Sequence, residues 1–172
     1  MAHGLPRSLA RAKAINVATK KLRITVDESM TFTGSTGVAV FQTAVLAGLP
    51  EGNILIHGAV ANLTFTGPTS GDLADDFEGD YSVGTVPTAD NSLGDAGEAD
   101  IVASTAIAAA TSEASANNRG TQATQSIADN TASALEVNLN VLIDADEITN
   151  AVAVAIAVTG TIDIVYSALG DD

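Results

Sequence analysis

From Val152 to Tyr166 every even position is apolar or glycine: Val152, Val154, Ile156, Val158, Gly160, Ile162, Ile164 and Tyr166. The odd positions are Ala151, Ala153, Ala155, Ala157, Thr159, Thr161, Asp163 and Val165. A period of two held over this length is the signature of a strand with one buried face, because successive side chains of a strand point to opposite sides of the sheet. The segment therefore reads as one long bent strand, or two joined at Gly160. Its small odd side chains predict a face set against a close neighbour.

The same period recurs earlier. Leu22, Ile24 and Val26 alternate with Arg23 and Thr25; Asp27 and Glu28 interrupt the run, and Met30 and Phe32 resume its parity. A turn at residues 34–37 precedes a second strand from Val38 to Val45. Residues 54–65 form a longer strand with a fault: Ile54 and Ile56 set one parity and Leu63 and Phe65 the other, so Gly58 between them is a candidate bulge. Residues 81–86, 101–102 and 137–141 supply further strands, and 67–80 and 90–100 read as polar loops. Residues 103–134, rich in Ala, Ser, Thr, Asn and Gln, are expected to be an irregular or partly helical excursion, with Asn117, Asn118 and Gly120 ending any helix near 105–116.

Seven or eight strands at this spacing predict an all-β antiparallel sandwich, with a jelly roll as the favoured topology. At 172 residues the chain suits one such domain, over 22–172, behind an extended basic arm over 1–21. Only 3% of residues are aromatic and none is Trp, so the core must be built from small aliphatic contacts.

The net charge of -14 is unevenly divided. Arg7, Arg11, Lys13, Lys20, Lys21 and Arg23 are six of the seven bases, and residues 1–23 hold no acid; the rest of the chain carries Arg119 against all 21 acids. A basic arm on an acidic body is built for contact with an acidic surface. Those six residues are the candidate contact set with a shell or a neighbouring subunit. Nucleic acid suits the arm less well, since it has no aromatic for stacking and the acidic body repels phosphate.

No reactive centre is predicted. The absence of Cys removes disulfides, thiolate metal sites and cysteine nucleophiles. His57 sits in a strand with no nucleophile-elbow motif near it. The acidic groups at Asp72–Asp80, Asp90–Asp100 and Asp144–Glu147 lack an EF-hand pattern, and the aromatics that line sugar clefts are scarce. No metal site or cofactor is therefore expected. No apolar run reaches the roughly 20 residues that cross a bilayer, and none follows the early bases as a secretion signal requires, so a soluble cytoplasmic product with no membrane partner is expected.

Several stretches resemble small proteins encoded among the head genes of tailed bacteriophages: Leu49-Pro50-Glu51-Gly52-Asn53-Ile54-Leu55, Glu78-Gly79-Asp80-Tyr81-Ser82-Val83-Gly84-Thr85, Ala99-Asp100-Ile101-Val102-Ala103-Ser104-Thr105-Ala106, Gly160-Thr161-Ile162-Asp163-Ile164 and Leu169-Gly170-Asp171-Asp172. The resemblance spans residues 49–172 and implies a head-associated virion protein of the decoration, cement or minor capsid kind. It would be non-enzymatic, made in the host cytoplasm, bound to the major capsid protein and commonly a homotrimer. The alternative is a carbohydrate- or surface-binding sandwich, as in an adhesin or fibre.

Overall fold

The computed structural model describes residues 18–122 and 126–170, and every regular element among them is a strand. They are β1 (Thr19–Thr33), β2 (Val40–Gly48), β3 (Gly52–Thr66), β4 (Gly79–Gly84), β5 (Val102–Ile107), β6 (Ala114–Thr121), β7 (Ser126–Asn130), β8 (Glu136–Ile143) and β9 (Ala153–Gly170). Sheet I has the order β1-β9-β3-β6, with β7 also paired to β3; sheet II has the order β2-β8-β4-β5. All pairs are antiparallel.

The pairing is nested. β1 pairs with β9, β2 with β8, β3 with β6 and β7 as one interrupted edge, and β4 with β5. A long hairpin of strand pairs has been rolled so that β9 also meets β3 and β8 also meets β4. This is a jelly roll, as the alternation predicts.

The even residues of β9 turn inward: Val154, Ile156, Val158, Ile162 and Ile164 are buried against Ile24, Val26, Met30 and Phe32 of β1 and Leu63 and Phe65 of β3. Val137, Leu139, Val141 and Ile143 of β8 face them from sheet II. Tyr81 of β4 spans the sandwich. Its ring lies 5.6 Å from that of Phe65, and its hydroxyl donates to the Asn118 carbonyl oxygen of β6 at 3.1 Å. Burial pushes this phenol up to about 12.

Both predicted irregularities are present. The register of β3 on β9 shifts between Ile56 and Gly58, which moves the buried set from Ile54 and Ile56 to Ala59, Ala61, Leu63 and Phe65. At Gly160 β9 continues unbroken with φ +141°, and a Cβ there would strike the Asn62 carbonyl oxygen of β3. Only glycine lets the two backbones approach at this bend.

Three expectations need correction. β1 runs through Asp27 and Glu28 without a break, because β9 pairs with it from Thr19 to Thr33. The described part of residues 103–134 is not helical: it forms β5, β6 and β7. Its polar residues serve the sheets, as Asn118 shows by donating to the Leu63 and Ser115 carbonyl oxygens and accepting from the Ala108 backbone N–H. Ala153, Ala155 and Ala157, expected against a close neighbour, face solvent within this chain.

The loop of residues 85–100 covers the outer side of sheet II over β4 and β8, leaving Phe41 and Val45 of β2 exposed. Asn140, fully buried on β8, accepts from the Thr88 N–H and the Thr43 hydroxyl and donates to the Val86 and Glu98 carbonyl oxygens. All four hydrogen-bonding positions of the amide are used. Replacing Asn140 by Ala leaves those buried groups unpaired and should cost about 2–4 kcal/mol. Gly160→Ala should cost a similar amount, about 2–4 kcal/mol, from backbone strain and overlap. Urea unfolding of each variant measures these losses.

Candidate interaction surface

Among the described residues no loop covers sheet I in this way. Its outer side is a broad pleated face across β1, β9, β3 and β6, with residues paired in rows. Ser29 and Ala157 lie beside Thr66, Thr25 and Thr161 beside Asn62 and Arg119, and Arg23 and Asp163 beside Val60 and Thr121. Toward the Thr33 end the side chains are small and exposed, including Thr31, Thr33, Ala153 and Ala155. Toward the Thr19 end the face carries cations.

Of the six candidate contact residues, Arg7, Arg11 and Lys13 lie outside the described residues. Lys20, Lys21 and Arg23 do not sit in an arm: they belong to β1, which begins at Thr19. Arg23 clamps Asp163 with two hydrogen bonds of 2.7 Å, one from Nε and one from a terminal nitrogen, and Lys21 Nζ lies 2.9 Å from the same carboxylate. The Arg23 bonds, then the Lys21 bond, hold the Asp163 carboxyl well below the usual carboxylate range. The arginine is raised in turn.

The sequence reading missed Arg119 as a contact residue. It lies on β6, in the same face, and has no ion pair or hydrogen bond among the described residues. With Lys21 and Asp163 it borders a shallow depression of about 500 Å³ floored by Gly58, Ala59, Val60, Thr121 and Val165. Beyond that floor, Ile127 of β7 and Leu169 of β9 are 69% and 44% exposed. The signal for Arg119 was its isolation, as the single base outside residues 1–23.

The opposite end of the sandwich is acidic. Loop hydrogen bonds join Asp72 to Thr149, Asp75 to Glu113, Glu78 to Asp144 and Glu147 to Ala74. Asp76, Asp80 and Asp146 lie in or beside the same loops. Burial first, then the neighbouring carboxylates, raise Glu147; burial and Asp144 raise Asp80; burial and a hydrogen bond with Asp75 raise Glu113. Among the described residues no three of His, Asp or Glu are arranged to hold a metal ion.

Among the described residues His57 Nε2 and Ser167 Oγ, 2.8 Å apart, pair a hydroxyl with a base. Ser167 is 3% exposed, so its hydroxyl is shielded from a substrate arriving from solvent. No described helix is long and apolar enough to cross a membrane.

No family model and no curated protein matches the sequence. Solved structures similar to it include the VP2 subviral particle of infectious bursal disease virus (TM-score 0.45, 11% identity, 86% of this chain and 32% of that one). The Gx strain of the same virus gives a TM-score of 0.41 at 14% identity, with 86% of this chain and 32% of that one covered. This chain spans about a third of the length of those virus proteins.

The carboxylates give opposite pH dependences. Asp163, depressed in the folded state, stabilises the fold above the ordinary carboxylate range, and that contribution is lost as pH falls. Glu147, Asp80 and Glu113, raised in the folded state, take up protons more readily when folded, so stability grows as pH falls from neutral toward their raised values. Melting temperature should therefore rise from pH 7 to a mildly acidic maximum and then drop. Asp163→Asn should flatten the drop. A monotonic decline from pH 7 contradicts this assignment.

Proposed function

We propose that this chain is a structural protein of a virus particle, a head-associated component of the decoration or cement kind that binds the assembled shell and stabilises it. The observation that carries the reading is the difference between the two outer sides: the 85–100 loop covers β4 and β8 of sheet II, while the described residues leave the outer side of sheet I as one broad open face with cations at one end. A shell-binding protein needs a rigid body, a wide contact surface and enough copies for weak contacts to add. Linking several copies raises binding by about 10²–10⁴-fold without any new contact.

Charge supports the same reading. Lys20, Lys21 and Arg23 start β1, and Arg7, Arg11 and Lys13 precede them in the sequence. Together they offer a cationic region to the acidic surface of a major capsid protein. The resemblance of residues 49–172 to phage head proteins points to the same setting. The jelly roll alone does not choose, since viral shells and lectins share it. The sugar-binding alternative is weakened by the aromatics. Phe32, Phe65, Phe77, Tyr81 and Tyr166 are all buried, and Phe41 is the one ring with substantial exposure, at 36%.

The test is co-sedimentation of the purified chain with expanded phage heads stripped of accessory proteins. The chain should pellet with the heads at low salt and less well as salt rises. Removing residues 1–17, which leaves β1 whole, should weaken binding most at low salt. A chain that stays in the supernatant at every salt concentration contradicts the reading.

A further inference from the structure

The cationic end of the sheet I face combines three features. Arg119 lacks a partner among the described residues; Lys21 and Arg23 share the single carboxylate of Asp163; and farther along the same face, at the level of Leu55 and not of Asn62, Ile127 stands exposed, with Leu169 exposed near the end of β9. Arginine is enriched among the anchors of protein contacts.

We infer that this cationic half-face receives the acidic strand end of a second copy of the chain, giving a head-to-tail contact between subunits. The argument is charge complementarity carried on one molecule. Asp75, Asp76, Glu78 and Asp146 are exposed at the far end, where burial first and the repulsion of neighbouring carboxylates second raise Glu147 and Asp80. A cation-bearing face brought over that end relieves this repulsion. Two copies meeting through the same cationic half-face would set like charges against each other, which disfavours a two-fold dimer. Two different patches in contact make a heterologous interface, and such an interface closes into a ring when its rotation permits.

The inference builds on the assembly reading above but fails separately from it. A chain that is monomeric in solution and still binds shells overturns the head-to-tail contact alone.

The test uses two variants of the full chain altered at exposed positions. Arg119→Glu reverses the receiving face, and Asp76→Lys with Glu78→Lys reverses the acidic end. Sedimentation velocity should show oligomers of the unaltered chain at low salt, dissociating as salt rises. Each variant alone should sediment as a monomer with an unchanged melting profile. Mixed in equal amounts, the two should associate again, because each supplies the intact patch that the other lacks and the two reversed patches are themselves of opposite sign. A monomeric parent chain, an oligomer unmoved by either variant, or a mixture that stays monomeric overturns the inference.

Discussion

The pairing of β9 with both β1 and β3 is the constraint on which the rest of the structure depends. The strand lies inside sheet I, matched to β1 from Ala153 to Ser167 and to β3 from Ala157 to Gly170. Its even side chains floor the core and its odd side chains floor the outer face. One strand thereby fixes the register of the sandwich and the composition of the surface open to partners. A slip of one residue would put the isoleucines in solvent and the alanines in the core, so the register is strongly specified.

Polar groups divide between two tasks. Asn140, Asn118 and Tyr81 are buried and spend their hydrogen bonds on the architecture, closing the loop over sheet II and tying β4 to β6. Asp163 and Arg23 lie on the outer face of sheet I, where their bonds organise a surface. Charge then gives that face a direction, with cations toward the start of β1 and carboxylates at the loops of the far end.

Much of this was legible in the sequence wherever period two was uninterrupted. β9 and the inner set of β1 could be read directly, and the parity change around Gly58 located the bulge. Residues 103–134 were not legible, because buried Ser115 and Asn118 have the composition of a loop. Their place in β6 is set by β3, a partner some 50 residues away. The start of β1 was misjudged for a similar reason. Thr19, Lys20 and Lys21 show no apolar alternation of their own and are strand only because Ser167, Tyr166 and Val165 pair with them. That error placed Lys20 and Lys21 in an arm and left Arg119 out of their company.

The account's central claim is that the open side of sheet I is where the chain meets its neighbours. Hydroxyl-radical footprinting of the free chain and of the chain bound to heads tests it directly. Protection of Ile127, Leu169, Val60 and Val165 on assembly, with Phe41 and Val45 at the sheet II edge still oxidised, is the predicted result. Protection of Phe41 and Val45, with the sheet I residues as reactive as in the free chain, contradicts it.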